Sequence, residues 1–393
     1  MTLGARVETC RWVMLVGLAS SACRPSVTVT PDPPRPRARP APTAPEIELA
    51  LANDVLCVRV GVRVHCGTNI DPAKSPLEEP AIELADGATS VAAGRDFVCV
   101  VTKPGTIWCR GSNTHGQLGA KLRAAFSESF VQVVGVGGAL RVFAGDTHAC
   151  AILFDGGVQC WGNNGSGQTG GSKIYAPEAR ELVTATTVVG VRQASTLALS
   201  DATSCATTTG KEVWCWGDTS GLHEHARARG PASEQPAAIA GCQGMQDIAA
   251  GDYLWCGIRR GDVACWGPPG ALPSAIRERA ETAGVDHEPI VFGLAPTLRV
   301  RIGDSHACAL HADGHVSCWG ANTGGALGRG SVIDHNRADP ALVPKLPRAT
   351  DLFVGGSMSC IVTEDREVYC WGRWPVVNGE PYRETGTPVK VEL

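Results

Sequence analysis

Residues 144–162 read AGDTHACAILFDGGVQCWG. Cys150 and Cys160 flank Phe154-Asp155-Gly156, the centre of a three-residue hairpin loop with Gly in third place, where a left-handed backbone is required. Residues opposed across a hairpin share a face. In a non-hydrogen-bonded pair their Cα atoms lie about 4.5 Å apart, within disulfide reach. The stretch therefore reads as two antiparallel strands pinned by their own cysteines. Ala144-Gly145-Asp146 is the turn that enters them, and Cys160-Trp161-Gly162 closes the second strand.

The pattern recurs outward in both directions. The cysteine pairs are Cys57-Cys66, Cys99-Cys109, Cys150-Cys160, Cys205-Cys215, Cys256-Cys265, Cys308-Cys318 and Cys360-Cys370, separated by nine or ten residues. A separation of nine implies an even loop, and Gly61-Val62 and Arg260-Gly261 supply the Gly that two-residue turns want. First cysteines follow one another at 42 to 55 residues, a period that marks propellers and arrays. Cys-Trp-Gly opens at Cys160, Cys215, Cys265, Cys318 and Cys370. Four short strands are expected per repeat. Strand A follows a proline (Pro80 to Leu84, Pro340 to Val343), and strand B is a run of small apolar residues (Ser90 to Gly94). Strands C and D carry the two cysteines. Seven such units predict an all-β, seven-bladed β-propeller of four-stranded antiparallel blades. Repeat one lacks a strand A, because Ile47 to Leu51 already matches strand B. The C-terminal Thr387 to Leu393 matches strand A, so it is expected to close the ring by joining blade one.

Zinc is the competing reading of paired cysteines, but it takes four ligands, commonly from closely spaced knuckles, and here each pair sits alone on its hairpin. Each disulfide closes a loop of about ten residues, worth roughly 2–3 kcal/mol in the chain-entropy model. Of 17 cysteines the pairs use fourteen. Cys10 and Cys23 fall in the N-terminal leader, and Cys242, in the turn between strands A and B of blade five, is left as a free thiol.

Cysteine use on this scale suits an oxidising compartment. The N-terminus agrees: Arg6 and Arg11 precede the apolar run Trp12 to Ala19, followed by Ser20-Ser21-Ala22-Cys23. This is the layout of a secretory signal over residues 1–22. Its ending resembles a bacterial lipoprotein signal, which implies lipidation at Cys23. Ser20 stands where that motif has an aliphatic residue, and ordinary cleavage is the alternative. Residues 23–45 carry eight prolines and four arginines after Cys23, a stiff solvated tether reaching roughly 70 Å if fully extended. Residues 46–393 form the propeller. The expected location is the bacterial cell envelope, lipid-anchored, or the exterior if secreted. A formal net charge of −4 over 393 residues argues against nucleic acid as a partner.

The string Ala144 to Gly170, with Asn113-Thr-His-Gly-Gln-Leu-Gly119 and Asn322-Thr-Gly-Gly-Ala-Leu-Gly328, resembles the repeat of the regulator of chromosome condensation family. The resemblance covers residues 47–393 and implies a seven-bladed propeller. Its eukaryotic namesake exchanges nucleotide on a nuclear GTPase and docks on chromatin. Other members resemble secreted bacterial inhibitors that grip an enzyme with one face. Fold alone does not carry these functions over.

No catalytic residue, cofactor site or metal site is assigned. His223-Glu224-His225 reads as a solvated loop. His148 and His306, each two residues before a first Cys, read as packing residues repeated in register. Asp146, Asp201, Asp252 and Asp304 read as turn residues. No Gly-x-Ser-x-Gly, Walker or His-Glu-x-x-His motif is present. The expected function is a protein-binding or scaffold propeller using loops on one face. A propeller enzyme or carbohydrate-binding protein of the envelope is the alternative. The longest connections that depart from the repeat are 218–236 and 267–290, which supply the candidate contact residues Arg227, Arg229, Arg277 and Arg279. Trp374, past strand D, is expected to be an exposed aromatic anchor.

Overall fold

A computed structural model describes residues 46–393 apart from 53–54, 68–83, 85, 172–182, 220–232, 240, 252–253, 268–272, 274–289, 295, 334–337 and 376–382. Blade one contains β1 (Ile47–Leu51), β2 (Leu56–Val60) and β3 (Arg63–Gly67). Blade two contains β4 (Ala88–Ala93), β5 (Phe97–Thr102), β6 (Ile107–Ser112) and β7 (Phe126–Gln132). Blade three contains β8 (Ala139–Ala144), β9 (His148–Leu153), β10 (Val158–Gly162) and β11 (Thr186–Thr187). Blade four contains β12 (Ala194–Leu199), β13 (Thr203–Thr208), β14 (Val213–Gly217) and β15 (Ser233–Ala238). Blade five contains β16 (Met245–Ala250), β17 (Trp255–Arg259), β18 (Asp262–Trp266) and β19 (Ile290–Val291). Blade six contains β20 (Thr297–Ile302), β21 (His306–His311), β22 (Val316–Gly320) and β23 (Ala338–Leu342). Blade seven contains β24 (Ala349–Gly355), β25 (Met358–Thr363), β26 (Val368–Trp374) and β27 (Arg383–Val391).

The chain is an all-β, seven-bladed propeller, and every cysteine pair stands directly opposite across its hairpin. Cys150 faces Cys160 in register, and Cys57 faces Cys66 across the two-residue turn. The seven S–S distances run from 1.98 to 2.12 Å, with Cα atoms 4.0 to 4.1 Å apart. Odd and even hairpins thus deliver the same geometry.

One expectation is corrected. Strand A does not open a blade; it completes the preceding one. Pro340 lies in β23, which pairs with β22. The C-terminal strand is the last strand of the ring, but β27 pairs with β26, placing Val389 beside Cys370, rather than with blade one. An antiparallel meander grows strand by strand, so the segment after the second cysteine turns back onto its own sheet before crossing. A circular repeat reads alike in either frame, which is why the periodicity alone did not settle it. Pro80 to Glu83 lie outside the described residues.

Blade one meets blade seven through side chains. Leu49, Leu51, Leu56 and Val58 bury against Met358, Val362, Val368, Trp374 and Val391. The first strand of each sheet is innermost and neighbours the first strands of adjacent blades. Their glycines explain the small-residue runs. A Cβ on Gly303 would fall closer than 3.0 Å to the Gly356 carbonyl, and one on Gly355 would do the same at Leu51. Only a backbone without side chains fits where the strands converge on the axis. They surround a central opening of about 170 Å³ to which every blade contributes, with glycines such as Gly94, Gly145, Gly251 and Gly303 in its lining.

Candidate interaction face

An antiparallel meander sends its turns alternately to two ends, which gives the propeller two faces. The loop face carries the turns from first to second strand and the long connections after each third strand. The hairpin face carries the cysteine hairpins and the entries to each next blade. On the loop face three connections share one device. Asn113 is buried, and its carboxamide donates to the carbonyls of Leu122 (2.9 Å) and Ala124 (3.0 Å) while accepting from the Leu118 N–H (3.2 Å). Asn322 does the same with Ser331 (3.0 Å), Ile333 (2.9 Å) and Leu327 (3.1 Å). Asn164 holds Gly171 (3.2 Å) and accepts from Thr169 (3.0 Å). A buried amide that saturates main-chain groups on both sides of a loop fixes its path.

The end of each clamped loop meshes with the next blade. The Trp161 indole donates to the Gln117 carbonyl at 3.0 Å, Trp216 to Gln168 at 2.8 Å and Trp371 to Ala326 at 2.8 Å. Two residues later, Gly119 and Gly328 let those rings lie where a Cβ would stand within 3.0 Å of them. The repeated Trp and the terminal Gly of the loop string are two halves of one blade–blade contact.

Beside that contact runs a buried polar relay. Ser204 Oγ donates its single proton to the Gln168 carbonyl at 2.8 Å, so His148 Nε2–H must be the donor in the 2.8 Å contact with Ser204. His306 and Ser359 repeat it at 2.8 Å. Nδ1 of both rings has no hydrogen-bond partner, which suits an unprotonated nitrogen. Burial pushes His148 down from 6.5 to about 3 and His306 from 6.5 to about 4, so both rings are neutral. Where the histidine position is Phe97, the next blade has Ala149 in place of serine. Both histidines are therefore packing residues, as read from the sequence.

Near the axis on the loop face, Arg95 pairs with Asp146 of the adjacent blade. The Asp304 N–H reaches the Gly356 carbonyl at 2.9 Å. These aspartates sit in the turns from first to second strand of blades three and six, where they touch the neighbouring blade. Among the described residues no cluster of three His, Cys, Asp or Glu is placed to hold a metal ion.

Trp374 is not an anchor. It is fully buried between blades seven and one, with Nε1 on Thr385 Oγ1 at 3.0 Å, because β26 runs two residues past Gly372, where β10, β14 and β22 end at the equivalent glycine. Arg227, Arg229, Arg277, Arg279 and His223 to His225 lie outside the described residues, as does Cys23. Cys242 is unpaired and buried, and burial raises its thiol to about 12 against the pull of Arg259. The asparagine clamps were missed in the sequence. Their signal was there, an Asn five residues before each residue whose N–H it accepts.

Two models of the regulator of chromosome condensation (RCC1) repeat match the chain, one at residues 88–117, 141–168 and 299–326 and the other at 313–362. The mouse regulator of chromosome condensation is 30% identical over 141 residues, covering 35% of this chain and 31% of that protein. The Arabidopsis thaliana mitochondrial RCC1 domain-containing protein RUG3 is 26% identical over 327 residues, 75% of this chain and 68% of that protein. The chain thus spans under a third of the first relative and about two thirds of the second. Prp20p from Saccharomyces cerevisiae, studied for its binding to Gsp1p and histones, superposes with a TM-score of 0.63 at 18% identity, covering 77% of this chain and 76% of that one. With its seven sheets, meshed Trp–Gly seams and matched segments, the chain is a seven-bladed propeller that carries regulator of chromosome condensation repeats at residues 88–117, 141–168 and 299–362.

Proposed function

We propose that this propeller is exported, held at the cell envelope by a lipid on Cys23, and engages a protein partner through its loop face without turnover. The observation that carries the binding reading is the threefold asparagine clamp. It holds the loop face of blades two, three and six as a rigid frame, so little entropy is lost when the connections beside it make contact. Seven cysteine pairs support an oxidising location, and the tether of residues 23–45 supports attachment. The contact is assigned to the connections 218–236 and 267–290, which depart from the clamped pattern on neighbouring blades and carry Arg227, Arg229, Arg277 and Arg279.

The test replaces each connection with a short Gly turn in fragment 46–393 and compares capture from envelope extracts. Loss of a partner by either folded variant is expected. Undiminished capture by both removes the loops from the site, and a hydrolytic activity abolished by one carboxylate substitution overturns the binding reading. Separately, Cys23→Ser is expected to abolish partition into detergent; partition that survives it overturns the anchor.

A further inference from the structure

The hairpin face is built as a belt. The carbonyl at the hairpin tip of blades one to six accepts the N–H that enters the next blade: Val62 from Ala88 (2.9 Å), Gly105 from Ala139 (2.9 Å), Gly156 from Ala194 (3.0 Å), Lys211 from Gly244 (2.8 Å), Gly261 from Thr297 (2.8 Å) and Gly314 from Ala349 (2.8 Å). Its two halves differ in charge. Toward blades six, seven and one, four cations are neutralised in place, while Arg63, Lys345 and Arg366 have no carboxylate partner among the described residues. Arg301 bonds Asp247 and Arg299 bonds Asp351, both at 2.7 Å, while Lys390 bonds Glu367 and Arg59 bonds Glu48, both at 2.9 Å. Over blades three to five, Arg141, Arg192, Lys211, Arg259 and Arg260 have no carboxylate partner among the described residues.

The same half exposes apolar tips. Phe154 at the blade-three hairpin is 63% exposed, Val189 in the next turn 75%, and Leu140 49%. A Cβ on Gly190 would meet nothing within 4 Å, so the Val189-Gly190 turn stands clear of the surface. Next to these tips Lys211, Gln243, Gly244, Gln246, Arg259 and Arg260 line an open pocket of about 430 Å³ without a carboxylate. The other half exposes Val62, Leu298 and Leu342 as well, but no projecting aromatic ring among the described residues. Asp155, Glu212 and Asp262 stand on the same tips, so the five cations exceed the carboxylates there by two. Projecting Phe, Val and Leu beside that excess and a cationic recess are the composition of a surface that wets into a bilayer.

We propose that the hairpin face of blades three to five docks on an anionic lipid bilayer, with Phe154, Val189 and Leu140 entering the interface and Lys211, Arg259 and Arg260 receiving a headgroup phosphate. Convex tips suit a deformable surface, whereas a peptide needs a groove. The described chain enters on this face, where the Glu46 carbonyl accepts from Gly61 at 2.9 Å. Docking does not depend on a lipid at Cys23, and it leaves the loop face pointing away from the membrane.

All seven blades and the closing seam lie within residues 46–393, so that fragment is the unit to test. Its cosedimentation is measured with vesicles of phosphatidylcholine alone and of phosphatidylcholine with phosphatidylglycerol at 3:1. Binding to the anionic vesicles that weakens with salt is expected. Arg192→Glu with Lys211→Glu should weaken it at least twentyfold, at about fivefold per cation. Phe154→Ser with Val189→Ser should weaken it about tenfold. Leu298→Ser and Lys345→Glu, on the other half of the face, should leave it unchanged. Thermal unfolding confirms that each variant is folded. No preference for anionic vesicles overturns the proposal, as does binding indifferent to the blade-three and blade-four substitutions. Capture of a soluble acidic peptide by the patch without vesicle binding overturns it too.

Discussion

His148 and His306 are kept neutral inside the ring, and acid works against that state. Both folded pKa values lie below the ordinary 6.5, at about 3 and about 4. Above pH 6.5 neither the folded nor the unfolded chain holds the proton, and stability is complete. As pH falls below 6.5 the unfolded chain protonates and the folded chain does not, so stability drops by roughly 1.4 kcal/mol per pH unit for each ring until the folded pKa is reached. Urea unfolding between pH 7 and pH 5 is expected to show this slope. The double substitution His148→Phe with Ser204→Ala, which copies Phe97 and Ala149, should halve it. Asn322→Ala removes two donors and an acceptor from buried carbonyl and N–H groups and is expected to cost about 2–3 kcal/mol. Hydrogen exchange should rise locally at residues 327–333. Cys242, buried and with its thiol raised to about 12, should resist alkylation in the native protein and react once on denaturation.

At the scale of the element, hairpins were legible and blades less so. Cys150 and Cys160 with Phe154-Asp155-Gly156 between them specify two strands, their register and their loop, because side-chain period and turn chemistry act within ten residues. Which sheet Pro340 to Leu342 would join was not legible, because that depends on the meander continuing onto β22 rather than on anything in the segment. Trp374 was misread for a related reason: its burial is decided by Leu49 and Leu51, more than 300 residues earlier. The clamps were visible only as repeated strings. Their asparagines act through geometry that a string does not carry. Replacing both Cys99 and Cys109 with serine should lower stability by about 2–3 kcal/mol while the remaining pairs form. Calorimetry with a thiol count checks it.

For the whole molecule, sevenfold repetition and the cysteine register were enough to fix the propeller. What lay beyond reach was the difference between the two halves of its hairpin face. That difference emerges from ion pairs such as Arg299–Asp351, which join strands of different blades, and from Arg192 and Lys211, which have no carboxylate partner among the described residues. The ring closes at Gly355 on Leu51 as it passes from blade six to seven at Gly303 on Gly356. Gly355→Ala is therefore expected to unseat the closing seam at a cost of about 3 kcal/mol or more, read as a lowered unfolding midpoint.

The likeness of those seams bears on where such a chain has to start. At the axis, the contact that crosses the break between C-terminus and N-terminus is the same kind of contact that the continuous backbone makes elsewhere, so the peptide bond is not what decides the neighbour. β1 begins and β27 ends on the same face in adjacent blades. A circular permutant that joins Leu393 to Glu46 by a flexible Gly linker and opens between Gly137 and Gly138 should form the same seven cysteine pairs. Its order of synthesis would run through the blades from a different origin to the same closed object.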